Sequence, residues 1–471
     1  MEDSSGFEDR AFEEELKHTV NRFLEMQSSE KEYFFDVNQF EDLFDYFLEN
    51  GEWDTATNVV QMAHKQHPFS NSINIREAHL NVAFGKINNA LSILNKAEKI
   101  EPFNEDILLL KAQVLSQMRQ HQKALQYYER ALEKSVENKS EIMLDIAMEL
   151  EEMQDFPRAI DVLKELLFND PDNEVALHEI SHCFESMGES ENGIGFFNDF
   201  LEQHPFSASG WFNLGELYMR HEMNEKALEA FDFATAINEE YAHSYFNKGV
   251  IFANNGDFQS ALSCFRDCSE YEGTNPLTLC YIGECYEKTG NFINALEYYD
   301  KVLEIDDRWS DAWMGKAVVN ELMGNDKSAL LMVENALKTL PEHIEYLLFY
   351  ARISGKLGQA DKAIESFEKA ILISPENSQV WIDYSEYIDR VKGAKKAVDI
   401  MMEGLVFNDG QPDFYYRMVA YLLKAGREAE ALIFFGEALL EDYDNHILLL
   451  SYYPEAINNE NINQLIEIYK T

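Results

Sequence analysis

Between residues 37 and 445 apolar residues recur at helical spacing in short runs, paired across a turn, and the pattern returns every 34 residues. The stretch from Trp211 to Ala234 shows one unit. Trp211, Leu214, Gly215 and Tyr218 share one face of a first helix, and Ala227 and Phe231 follow on a second. Stepping from Ala227 in both directions gives Ala56, Ala90, Ala124, Ala159, Gly193, Ala261, Ala295, Ala329, Ala363, Ala397 and Ala431. A small side chain is required there, because it sits where the two helices of a unit cross and sets how closely their axes approach.

Other columns support the same register. The Gly215 position holds Ala78, Ala112, Ala147, Ser181, Gly249, Gly283, Ala317, Ala351 and Ser385, with Phe44 and Val419 as exceptions in the first and last copies. The turn inside each unit carries Gly51, Gly85, Gly188, Gly256, Gly290, Gly324, Gly358 and Gly426, which predicts a left-handed helix end. Pro68, Pro102, Pro171, Pro205, Pro341 and Pro375 close the second helices, and Ser70, Asn104, Asn173, Ser207 and Asn377 are placed to cap the next first helices.

The spacing W-x2-L-G-x2-Y followed by A-x3-F resembles the tetratricopeptide repeat family, and the resemblance covers residues 37–445 as twelve copies with one extra residue near Ser135 to Ser140. It implies an all-α solenoid wound as a right-handed superhelix, its inner wall built mainly from the first, or A, helices. It also implies an interaction module rather than an enzyme. Residues 1–36 read as an acidic segment whose helix, from Glu8 to Met26, covers the apolar face of the first repeat, the first several residues being disordered. Residues 446–471 read as C-terminal capping helices interrupted by Pro454. In the last repeat Phe414, Tyr415, Tyr416 and Tyr421 are expected to be packing residues.

Charge narrows the partners. The chain has 39 basic and 86 acidic residues, a net charge of −47, which repels nucleic acid phosphates and anionic membranes. No window is apolar enough to span a bilayer, the N-terminus lacks a secretory signal, and five cysteines fit a reducing compartment. A cytoplasmic protein is expected.

Two clusters invite a chemical reading. The segment from His178 to His182 matches H-E-x-x-H, with Glu179 as the base of a metal-dependent hydrolase, but the extended form of that motif fails and Ser181 lies in the small-residue packing column. His178 and His182 are therefore weak metal candidates. Cys264, Cys268, Cys280 and Cys285 lack the close pairing of a zinc knuckle and are expected to be buried small hydrophobes. No catalytic centre and no cofactor are expected.

The family geometry places A-helix positions 2, 5, 9 and 12 on the concave wall. Position 5 is largely apolar, including Phe212, Phe246, Cys280, Met314 and Leu348, and positions 9 and 12 add Glu151, Glu185, Glu216, Glu284, Glu287, Glu321, Glu386 and Asp389. The clamp of family members that bind chaperone C-termini is missing. Of the asparagine ladder that binds peptide backbone in others, only Asn213 and Asn247 remain. The expected site thus comprises Phe212, Asn213, Glu216, Phe246, Asn247, Glu284, Glu287 and Met314, an acidic and partly apolar groove for a protein or peptide with basic and apolar segments. Self-assembly through the end repeats is the other reading.

Overall fold

The computed structural model describes residues 5–29, 31–408 and 411–470, with side chains from residue 14 onward; the expected disorder of the first few residues lies outside this range. Every regular element among the described residues is helical. The chain forms two compact units, residues 1–238 and 239–471, each taken by itself below.

In the first unit a helix at Ser5–Ser28 precedes six helical pairs. Their A helices are Val37–Glu49, Asn71–Ala83, Glu105–Gln117, Lys139–Glu152, Glu174–Ser186 and Ala208–Arg220. Phe23 of the leading helix is fully buried between Phe35 and Phe47, its ring centroid 6.2 Å and 5.9 Å from theirs. The extra residue falls in the link 133–138, where Ser135 is buried and donates to Glu105. The second unit continues with A helices Ala242–Asn254, Pro276–Lys288, Ser310–Leu322, Ile344–Lys356, Ser378–Lys392 and Pro412–Lys424, and closes with Leu448–Tyr452 and Glu460–Tyr469. Phe414, Tyr415, Tyr416 and Tyr421 are all buried in its last core cluster.

The small-residue columns do what their sizes require. All eleven alanines of the Ala227 column have no exposed surface. At Gly193 a methyl would come within 3.2 Å of both Phe184 and Leu217, which accounts for the one glycine. In the neighbouring column a methyl on Gly215 or Gly249 would reach 2.6 Å from the ring of Phe231 or Phe265, too close for any side chain, so a second-helix (B-helix) aromatic lies flat on bare backbone. In the first repeat the residue types differ: Phe44 stands in the column, Val60 takes the place of the aromatic, and both are buried in one core cluster.

Helix ends follow the sequence signals. Ser70, Asn104, Asn173, Ser207 and Asn377 each accept a hydrogen bond from a first-turn N–H of the next helix. Trp211, Trp313 and Trp381 donate their indole N–H to the carbonyls of Pro205, Asp307 and Pro375, tying each A helix to the turn before it. The turn is left-handed even where glycine is missing, at Arg119, Gln154 and Glu222, whose φ values are 56°, 59° and 57°.

In both units A helices pack on the A helix of the next repeat at several steps, as Val37–Glu49 does on Asn71–Ala83 and Pro276–Lys288 on Ser310–Leu322. Among the described residues no B helix packs comparably on the next B helix. The A side is therefore the tighter side of the stack. An L-residue in the left-handed region costs about 1 kcal/mol more than glycine. Glu222→Gly is accordingly expected to raise the urea midpoint, and Gly256→Ala, at φ 79° with nothing within 4 Å of an added methyl, to lower it by a similar step; circular dichroism during unfolding checks both.

Candidate functional site

Position 5 of the A helices is not one continuous apolar line. Ile75, Ile382 and Tyr416 are buried, whereas Phe212, Phe246, Cys280, Met314 and Leu348 are half-buried and can present surface. Met314 and Leu348 line a depression of about 350 Å³ in the second unit, together with Phe349, Arg352, Asp383 and Tyr387. Phe246 packs edge-on against Phe265 and Tyr281, with centroids 5.6 Å and 5.4 Å away, and contributes to the core as well as to the surface.

The expected residues are distributed over both units. Phe212, Asn213 and Glu216 belong to the first, and Phe246, Asn247, Glu284, Glu287 and Met314 to the second. Phe212 lies half-buried, 5.8 Å from the ring of Phe231. Asn213 is only 1% exposed and donates to the carbonyl and hydroxyl of Ser209, so it sits inside its repeat rather than on the wall. Position 6 turns inward at that point, which the ladder analogy did not anticipate. Asn247 is half-buried. Glu287 is also buried, accepting from Tyr299 and pairing with Lys288, and is committed to packing.

Most other acids of the inner wall are engaged by the next repeat at one of two spacings. Arg76 pairs with Asp45 at 3.0 Å, His182 with Glu151 at 3.2 Å, and Arg417 with Glu386 at 3.2 Å, each 31 residues apart. Arg220 pairs with Glu185 and Lys424 with Asp389, 35 residues apart. Glu321 takes both Arg352 and Lys356. The two spacings differ by four, so both partners lie on one helical face of the following repeat. Sequence reasoning missed this ladder, although its period was present in the charges.

What the ladder leaves over defines the site. Among the described residues of the second unit Glu284, Glu345 and Asp383 form no ion pair; Asp383 accepts from the Gln379 amide at 2.6 Å. Water reaches Glu284, yet surrounding protein strips part of its hydration and lifts its pKa, with repulsion from Glu287 and Asp311 adding to this and Lys288 partly offsetting it. Burial likewise lifts Asp383, against the Gln379 hydrogen bond. In the first unit Glu41, Asp42, Asp45, Asp145 and Glu151 are raised too, chiefly by burial, and of the carboxylates shifted upward all but Asp267 stand on A helices. The A face is a surface of poorly solvated negative charge.

The histidine motif does not assemble as its spacing suggests. Glu151, Glu179 and His182 bring their ligand atoms within 4.8 Å of one another, and His178, which is exposed, is not among them. The cysteines behave as small hydrophobes. Cys264, Cys268 and Cys285 are buried, Cys280 is half-buried, and burial pushes the thiols of Cys268, Cys280 and Cys285 up to about 11, 12 and 12. No helix among the described residues is long and apolar enough to cross a membrane.

Tandem helical pairs with a small-residue crossing, a left-handed turn and an A-helix inner side define a helical-repeat protein. Family models described as tetratricopeptide repeat match residues 109–174, 212–268, 276–308 and 344–377, and these stretches of the chain are tetratricopeptide repeats. It is 21% identical over 188 residues to Anaphase-promoting complex subunit 3 of Schizosaccharomyces pombe, covering 40% of this chain and 28% of that protein. It is 20% identical over 390 residues to TPR repeat-containing protein YpiA of Bacillus subtilis, covering 80% and 89% of the two. The crystal structure of yeast Tom70 aligns with a TM-score of 0.44 at 15% identity, over 90% of this chain and 96% of that one. The chain spans little more than a quarter of the length of the fission-yeast relative, 28%.

Asp145 makes the cost of a crowded A face measurable. Burial, then Glu149 and Glu141, raise its pKa from 3.8 to about 6. Between those values the folded state holds a proton that the unfolded chain has lost, so this group's stabilising contribution is full below the lower value and disappears as pH rises through the upper one. Asp145→Asn removes that dependence. Its melting temperature relative to the native chain is expected to rise between about pH 4 and about pH 7, as thermal scans at the two ends would show.

Proposed function

We propose that the chain is a non-enzymatic scaffold that holds a partner protein on the A-helix face of its second unit. The observation that carries this reading is the combination of half-buried Met314 and Leu348 with Glu284, Glu345 and Asp383, acids that form no ion pair among the described residues. A partner segment with an apolar side chain and a nearby Lys or Arg fills the depression and supplies the missing cations. Both interactions gain from exclusion of water. The same carboxylates disfavour nucleic acid and anionic lipid. The relative from fission yeast is by name a subunit of an assembly, which agrees with a role in holding other chains. A cytoplasmic setting, with thiols kept reduced, fits the cysteines.

The test is a pull-down from native lysate with the full chain, read by mass spectrometry at low and high salt. Leu348→Ala combined with Asp383→Asn is expected to reduce recovery of the salt-released partner by at least about tenfold while leaving helicity unchanged. Leu348 suits this purpose better than Phe246, whose ring is built into the core. Equal recovery with the double variant removes the A face of the second unit as the site.

A further inference from the structure

The first unit carries a surface of the opposite character. In a chain of net charge −47, residues 61–139 hold 11 Lys and Arg against 8 Asp and Glu. Several of the cations are used internally: Arg76 pairs with Asp45, and Lys111 and Arg130 share Glu98. Lys65, Lys99 and Lys134 are exposed and make no ion pair among the described residues. They stand beside bare aromatic rings. Phe69 is 96% exposed and Phe103 68%, and each follows its lysine by four residues at the turn that enters a new repeat.

Local contacts set basic groups and rings side by side at these turns. Arg130 donates to the carbonyl of Pro102 at 3.1 Å, and the Lys134 ammonium lies 5.5 Å from the centre of the Phe103 ring. Phe34, also exposed, meets His67 edge-on at 5.3 Å, two residues from Phe69. Equivalent positions of stacked repeats run in line, so Phe69 and Phe103, 34 residues apart, mark successive steps along one edge, and Phe34, which lines a shared depression with Lys65, lies beside its first step.

The fold does not need these rings. A residue just before a helix cap often staples onto the first turn, but a ring as exposed as Phe69 packs on nothing. Asp172 and Glu376 occupy the same place before the caps Asn173 and Asn377, and those helices start equally well. Exposed phenylalanines that recur at the repeat period, with lysines that form no ion pair among the described residues at Phe34 and at Phe103, are not single scattered apolar residues.

We infer that this edge, Phe34, Phe69 and Phe103 with Lys65, Lys99 and Lys134, docks an acidic protein segment bearing bulky apolar side chains. Apolar side chains cover the rings, and carboxylates pair with the lysines. The negative charge elsewhere on the chain does not prevent this, since its field decays over a Debye length of about 8 Å at physiological ionic strength. Glu101 lies among the lysines of the row, which suits discrete carboxylates better than a continuous phosphate backbone. The surface differs in place and in charge from the A-face site, and either can fail without the other.

Phage selection of random twelve-residue peptides on the full-length native chain, with Phe69→Ser/Phe103→Ser as the subtracted variant, provides the test. Both substitutions fall on exposed side chains, and circular dichroism confirms that the variant keeps its helices. Peptides that depend on the two rings are expected to be net acidic with at least two bulky apolar residues. Synthesised and labelled, they should lose about tenfold in affinity against Lys65→Glu/Lys99→Glu, a loss of ~1.4 kcal/mol, and none against Leu348→Ala. If the ring-dependent peptides are neutral or basic, if no peptide depends on the rings, or if a labelled single-stranded oligonucleotide binds the edge more tightly than the peptides, the inference is overturned.

Discussion

Close approach of two helices at one small residue is the constraint on which the rest of this molecule depends. Eleven alanines without exposed surface, and one glycine where even a methyl is crowded, hold the A and B helices of every repeat at one separation. A repeat built on that crossing presents the same shape to its neighbour each time. Only then can B-helix rings such as Phe231 lie on the backbone of Gly215, and only then do the indoles of Trp211, Trp313 and Trp381 find the same carbonyl six residues back.

Fixed register converts a one-dimensional period into two-dimensional chemistry. Because each A helix lies on the next, a residue faces those 31 and 35 positions further on, and oppositely charged residues at these spacings meet across repeats. Such exposed pairs contribute little to stability, roughly 0–1 kcal/mol each. Their larger effect is to decide which charges remain. With more than twice as many acids as bases in the chain, the ladder engages Arg352, Lys356, Arg417 and Lys424 and leaves Glu284 and Asp383 without an ion pair among the described residues, in places where burial already disfavours their charge.

The sequence was most legible where steric demands are severe. The alanine column, the glycine turns, the five caps and the buried aromatics of the last repeat could all be read because a wrong residue there is costly, so the pattern is sharp. The site was less legible, because positions 5 and 6 of an A helix lie at the edge between core and surface. Small rotations of each helix send Ile382 and Asn213 inward while Leu348 stays open. Glu287 was misjudged for a related reason: its partner Tyr299 lies on another helix, and a count of acids along one helix does not reveal it. The two histidines of H-E-x-x-H share a spacing but not a site, since His182 turns to Glu151 of the preceding repeat.

In such an architecture the informative residues are those that the repeat does not require. Columns that are buried everywhere report only that the repeats are present. Departures at positions free to vary carry the individual chemistry: Phe69 and Phe103 where Asp172 and Glu376 serve other repeats equally well, and Asp383, which forms no ion pair among the described residues. Since each repeat contacts only its neighbours, these departures change the local surface without changing the geometry that displays it. A single chain can therefore carry an acidic, apolar face in one unit and a basic, aromatic edge in the other, each shaped by its own few residues on a scaffold that neither disturbs.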